Sequence, residues 1–241
     1  MGSYVETFDD GSGGWFGWID NARGPKPLER GPSSVIARSP WWIDYNHAPP
    51  GAGYMHLLFM LLTSGSPGEH QREVSGENRF IKSGFGTDFT DARLTFRMKG
   101  EMVARDTRLL LLIQGIQGGI CSGWLLTGQP LVVTEDWSEQ TIVAVPDESA
   151  WTCLGSRHDR TDFYGQLPLS TVLGHVNVDI LLVLFPLDIA PMGPIGGDPH
   201  RLRPEKDYPV WRSRLPEGYV ILDEVRIERD NFLHASQGRK R

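Results

Sequence analysis

The chain has 241 residues, 39% of them hydrophobic, and a formal net charge of −6. That size and composition suffice for a substantial core, in one large domain or two small ones. The acidic balance excludes the basic stripe that a nucleic-acid backbone requires, and the run MHLLFMLLT is too short to span a bilayer. We therefore expect neither a nucleic-acid nor a membrane partner.

The N-terminus and the cysteines limit the class of protein further. The first residues show no charged segment followed by an apolar one, so we expect no signal peptide and, by default, a cytoplasmic location. Cys121 and Cys153 provide no disulfide framework and no metal-ligand spacing, and they are interpreted either as free core thiols or as one bridge.

Segments with strand character recur along the whole chain, separated by turns rich in glycine and proline. In DARLTFRMKG, Ala92, Leu94, Phe96 and Met98 share one face, which predicts a half-buried strand. The other segments that predict strands are YMHLLFMLLT, RLLLLIQGIQ, QPLVVT, EQTIVAV, VNVDILLVLFPL and YVILDEVRIER. Only PLSTVLGH suggests a short helix, with Ser170 as a cap.

About ten strands with almost no helix predict an all-β fold, a two-sheet antiparallel β-sandwich of jelly-roll type. No repeat or composition break is visible, so we expect a single domain over residues 1–232, followed by a short basic tail at 233–241. Residues 11–33 and 187–217 are expected to form long loops rich in aromatic residues, and loops of that length are usually functional or disordered.

The two ends of the chain, ETFDDGSGGW and VILDEVRIE, resemble the opening and closing strands of jelly-roll carbohydrate-binding modules with a galactose-binding-like fold. The central segments DFTDARLTFRMKG and EDWSEQTIVAVPDESAWTCLG are similar in style to strands of the same group. The resemblance implies carbohydrate binding, and it also implies a structural calcium near the paired ends. The chain is about 80–100 residues longer than a common domain of ~150, with the excess in the aromatic loops.

Two acidic residues lie on strand faces that otherwise look like core. Glu6 follows Tyr4 in YVETF, and Asp223 is placed with Ile221 and Val225 in VILDEVRI. A buried carboxylate needs a cation or several donors. A calcium ion bound by Glu6, Asp223 and backbone carbonyls is one interpretation. Asp9 and Asp10 are alternative ligands, although acids in a turn such as FDDGSGG are typically solvated turn formers. The alternatives are backbone N–H donors or an arginine partner.

The stretch SPWWIDYNHAPPGAG, residues 39–53, concentrates flat and hydrogen-bonding side chains before an apolar strand. Alternation places Trp41 and Trp42 on opposite faces, so that one enters the core and the other is free to stack on a sugar ring. The alternative is an aromatic plug that closes the end of the sandwich. His56, within the strand, is interpreted as a hydrogen-bonded core residue. The predicted ligand-binding set is Trp41, Trp42, Asp44 and Asn46, together with Trp18 and Trp211 from the loops.

A second concentration of polar residues lies in LGSRHDRTDFYG, residues 154–165. His158, Arg160 and Tyr164 form a combination that can neutralise a carboxylate and move a proton, as polysaccharide lyases do beside a uronic acid. Tyr45 and His47 complete this candidate catalytic set. The alternative is a solvated charged loop with internal ion pairs.

These patterns leave three classes of function. The first is a carbohydrate-binding protein with an aromatic cleft, acting alone, as an oligomer or beside a partner enzyme. The second is a carbohydrate-active enzyme, a lyase or a glycoside-cleaving protein. The third is a structural or assembly subunit, because jelly rolls also serve that purpose.

Overall fold

The computed structural model describes residues 2–20, 23–44, 52–65, 67–157, 162–188 and 214–229. Strands dominate it, and they form two antiparallel sheets, which confirms the predicted all-β sandwich. The strands of the described residues are β1 Ser3–Glu6, β2 Trp15–Asp20, β3 Gly24–Lys26, β4 Glu29–Gly31, β5 Ser34–Arg38, β6 Trp42–Asp44, β7 Tyr54–Leu62, β8 Ala92–Val103, β9 Arg108–Gln117, β10 Ile120–Leu125, β11 Ser138–Val143, β12 Thr152–Cys153, β13 Asp179–Leu187 and β14 Glu217–Arg229.

Helical structure is confined to short segments, α1 Glu69–Ser75, α2 Arg79–Ser83 and α3 Leu169–Gly174, with a 3-10 turn at Glu148–Ala150. None of the helices in these residues is long and apolar enough to cross a membrane.

The first sheet has the order β11–β8–β14–β5–β4. Strand β14 is long enough to carry two partners on one side, because β5 pairs along Tyr219–Leu222 and β1 pairs along Val225–Glu228. The two ends of the described chain are therefore neighbours, with Glu6 opposite Val225. The second sheet has the order β12–β10–β9–β13–β7–β2–β3, and β6 pairs with β7 beyond the end of β2.

The second sheet buries apolar side chains on both of its faces. Leu111 and Ile113 of β9 join the cluster between the two sheets, whereas Leu110 and Leu112 join a separate cluster. Because successive strand residues point to opposite sides, this separate cluster lies on the outer face of the second sheet. We call it the outer-face cluster. The continuous apolar run RLLLLI therefore contributes side chains to both apolar clusters.

Several local predictions were wrong. Residues 11–33 contain β2, β3 and β4 instead of forming a loop. The segment QPLVVT makes only an isolated bridge, between Leu131 and Leu109. Helix α3 exists, but it begins at Leu169 after Pro168, so Ser170 is not its cap. Helices α1 and α2 had no predicted counterpart, because their apolar residues are too few to give a helical period.

Candidate functional site

The two adjacent tryptophans at the start of β6 point to opposite faces, as the alternation predicts, but both rings are buried, so neither presents the open stacking face that was expected of one of them. Trp42 pairs with Leu57 and belongs to the outer-face cluster, whereas Trp41 belongs to the core between the sheets. Asp44 lies opposite Met55 on the same strand pair and is buried. Tyr45, Asn46 and His47, predicted to continue this stretch, lie outside the described residues.

A pocket of about 590 Å³ opens at the end of the sandwich where Trp41 lies. It forms where the connection from β5 to β6, the connection from β8 to β9 and the start of β14 meet. Its lining residues are Ser39, Pro40, Trp41, His56, Arg105, Arg214, Leu215, Pro216 and Glu217. Its volume falls within the range of about 300–1,000 Å³ that is usual for small-ligand sites.

His56 is a neutral, buried member of this pocket. Its side chain is 1% exposed, and burial lowers the pKa of its imidazole to about 4. The Nδ1 atom lies 3.3 Å from the carbonyl oxygen of Trp42. Because a carbonyl only accepts, the neutral ring carries its proton on Nδ1, and Nε2 remains an acceptor. Within the described part of the chain this Nε2 has no partner.

Trp41 supplies a complementary group beside His56. The two ring centroids are 5.8 Å apart, and the indole N–H of Trp41 has no acceptor among the residues described. Buried polar groups are nearly always hydrogen-bonded in folded proteins, so each exception asks for an explanation. Here a buried donor and a buried acceptor remain unpaired on neighbouring side chains of one pocket.

The rim of the pocket is charged. Arg105 donates to Glu217 across 3.1 Å, although the backbone of Arg105 is left-handed, with φ at 58°. Arg214 is exposed, and in the described residues it makes no ion pair. With His56 neutral, the described lining carries two guanidinium groups and one carboxylate. Its net charge is therefore positive on a protein whose total charge is −6.

Two other predicted ligand residues, Trp18 and Trp42, come together away from this pocket. Their ring centroids are 6.1 Å apart, and Phe16 lies 6.4 Å from Trp18. Both indole N–H groups are buried without acceptors in the described residues. The predicted set is thus divided between the pocket and the outer-face cluster, while Trp211 lies outside the described residues.

The candidate catalytic segment is described only in part, because His158 and Arg160 lie outside the described residues. Tyr164 runs beside β10 through a parallel bridge to Cys121, and the guanidinium of Arg157 lies 4.1 Å from the centre of its ring. The catalytic role of this segment stays a prediction. Cys121 and Cys153, both among the described residues, are not joined by a disulfide.

Glu6 has an arginine as its cation. Arg79, the first residue of α2, binds both carboxylate oxygens of Glu6, and the backbone N–H of Phe8 donates to Glu6 over 2.8 Å. Tyr4, Glu6 and Phe8 are all buried, which confirms that they share the core face. Trp15 extends the network through its indole N–H, 3.3 Å from the Tyr4 hydroxyl.

The predicted core position of Asp223 was wrong because β14 contains a β-bulge. Leu222 pairs with Met98 and Glu224 pairs with Arg97, so Asp223 is the extra residue and the facing pattern reverses there. Asp223 forms an ion pair with Arg97, at the edge of solvent. Asp9 is exposed, and hydrogen bonds from the hydroxyls of Ser33 and Thr7 lower the pKa of its carboxyl.

The calcium site stays a prediction. In the described ranges, no three His, Cys, Asp or Glu side chains come close enough together to hold a metal ion.

Sequence reasoning missed one buried acid and most of the pocket. Asp179, the first residue of β13, is 2% exposed, and burial raises the pKa of its carboxyl to about 8. Its position beside an apolar run was the only available signal. Arg105 comes from the connection between β8 and β9, whereas Arg214 and Glu217 lie before and at the start of β14, and no local pattern marks them.

Comparison with protein-family models, curated proteins and solved structures found no match.

Proposed function

We propose that this protein binds a carbohydrate in the pocket lined by Trp41 and His56. The observation that carries the proposal is the unpaired indole N–H of Trp41 beside the unpaired Nε2 of His56. A sugar hydroxyl is both a donor and an acceptor, so neighbouring hydroxyls of one ring satisfy the two atoms together. The jelly-roll-like pattern of the chain agrees with this class of ligand.

The energetics favour a ligand that brings hydroxyls. A buried polar atom without a partner costs about 1–3 kcal/mol, and two such atoms adjoin this pocket. Both nitrogens are closed to water in this structure, so a hydroxyl reaches them only after neighbouring side chains shift, and the proposal requires the new hydrogen bonds to exceed the cost of that shift. Trp41 is only 5% exposed, so we expect it to contact the sugar through its N–H and ring edge and not through a stacked ring face.

The test is calorimetric titration with a panel of neutral and acidic oligosaccharides. Trp41→Phe removes the donor, and His56→Phe removes the acceptor, while each keeps a ring in place. We expect each variant to lose about tenfold in affinity, since one hydrogen bond contributes about 1 kcal/mol and an unpaired ligand hydroxyl costs more.

Trp151→Phe is the matched control. Trp151 is also 5% exposed, but it lies outside the pocket and its N–H donates to the carbonyl oxygen of Val145. Its variant is expected to bind like the parent protein. A loss of binding in Trp42→Phe, with Trp41→Phe unaffected, would move the site to the outer-face cluster. No binding to any oligosaccharide would refute the proposed function.

A further inference from the structure

Two arginines lie on the rim of the pocket, and among the described residues only one of them has an ion-pair partner. Arg214 precedes β14 and is exposed, with no ion pair in the described residues. Arg105, in the connection from β8 to β9, donates to Glu217 over 3.1 Å. Both belong to the lining that contains His56. Because His56 is neutral at pH 7, the charges of the described lining are two guanidinium groups and the Glu217 carboxylate, and their sum is positive.

We propose that the bound sugar is anionic, with a carboxylate or sulfate group held by Arg214. The inference rests on the proposed function and specifies the class of ligand for the same pocket. A guanidinium presents N–H donors in a planar fork that matches both kinds of anion, and it stays charged at any physiological pH. Arg214 has no carboxylate to neutralise it among the described residues, so a ligand anion meets an available cation.

Arg105 and Glu217 define where the anion binds. Their ion pair occupies the Arg105 guanidinium and holds it at the rim, so Arg105 is a positioning residue in this arrangement. The charges of Arg105 and Glu217 largely cancel within this pair, so Arg214 is the charge of the described lining that stays available to a ligand anion. The anionic substituent of the sugar is thereby directed to Arg214, while its hydroxyls face Trp41 and His56.

The experiment compares sugars that share a ring and differ in the group at carbon 6, which is either neutral or anionic. Methyl glycosides of galactose, galacturonic acid and galactose 6-sulfate are titrated into the full chain, together with glucose and glucuronic acid. We expect the acidic sugars to bind about tenfold more tightly than their neutral counterparts, because a hydrogen bond to a charged group is stronger than a neutral one. The preference is expected to shrink in high salt, since the rim is exposed to solvent.

Arg214→Gln is the decisive variant, and we expect it to bring the ratio of acidic-sugar to neutral-sugar affinity from about ten down to about one. Arg93→Gln is its matched control. Arg93 is an exposed arginine near the opposite end of β8, about 30 Å from the pocket at 3.3 Å per strand residue. Its variant is expected to keep the preference.

The outcomes separate the two proposals. Equal binding of acidic and neutral sugars would overturn the charge preference and leave the proposed function standing. A preference that survives in Arg214→Gln would also overturn the role of Arg214. Binding of only the carboxylate or only the sulfate would support the inference and identify the source of the anion. No binding by any sugar of the panel would refute both.

Discussion

Replacing Arg79 with methionine should destabilise the fold more than any other arginine substitution described here. Arg79 is 31% exposed, but the Glu6 carboxylate that it binds is only 1% exposed. The substitution keeps the length and apolar stem of the side chain and removes the guanidinium. It leaves Glu6 with the backbone N–H of Phe8 and the hydroxyl of Tyr4 as its donors.

The magnitude follows from the burial of the partner. Removing one member of a buried ion pair costs about 3–5 kcal/mol, because the other charge is left uncompensated. Arg79 is partly in water, so we expect about 3 kcal/mol, near the lower limit. The substitution also removes hydrogen bonds from Arg79 to the carbonyl oxygens of Asp10 and Gly11. In a domain of this size the loss lowers Tm by about 6–12 °C.

Urea unfolding followed by tryptophan fluorescence measures the loss. The matched control is Arg38→Met, because Arg38 pairs with Glu29 at 3.1 Å while both side chains are about half exposed. We expect the control to lose no more than about 1 kcal/mol. If Arg79→Met and Arg38→Met lose the same free energy of unfolding, the reasoning about the buried Glu6 pair is wrong.

Three further predictions concern the same core and its acids. Gly13→Ala should lower the free energy of unfolding several times more than Gly84→Ala does. Both glycines have φ between 60° and 70°, but only a Cβ on Gly13 would collide with a carboxylate oxygen of Glu6. Equal losses in chemical unfolding would contradict this prediction. Asp179→Asn should change the free energy of unfolding relative to the parent, and this difference should favour the variant more at pH 8 than at pH 5. The folded pKa of Asp179 is raised to about 8, so the parent loses stability as pH rises from about 4 towards 8, and an identical pH dependence in the two proteins would refute the assignment. If calcium binds near Glu6 and Asp223, excess chelator should lower Tm and added calcium should restore it. An unchanged Tm with excess chelator on metal-free protein would argue against the predicted metal site and leave the arginine partners of both acids as their counter-charges.

The parts of the fold that the sequence predicts are those in which local pattern and packing agree. Leu94, Phe96 and Met98 alternate strictly, and all three are buried on one face of β8. The alternation also predicted that Trp41 and Trp42 point to opposite faces, and they do. In these segments the two-residue alternation of the sequence matches the alternation of strand faces, so the prediction needs no tertiary information.

The errors occur where long-range structure decides. The single extra residue at Asp223 changes which residues of β14 face the core from that point on. Apolar residues lie both before and after the bulge, so the sequence does not show where it occurs. The cation for Glu6 comes from Arg79, 73 residues away in a helix that the sequence did not predict. The pocket unites Arg105 and Arg214 from separate loops, so neither residue shows its role locally.

The most direct test of the proposed pocket is the indole N–H region of a ¹H–¹⁵N spectrum, recorded while sugars are added. The chain has eight tryptophans, and the Trp41 signal is assigned by its loss in Trp41→Phe. We predict that a binding sugar moves the Trp41 signal, because its N–H gains an acceptor, while the Trp18 and Trp42 signals stay in place. Movement of the Trp18 and Trp42 signals with Trp41 unchanged, or no movement with any sugar, would contradict the account.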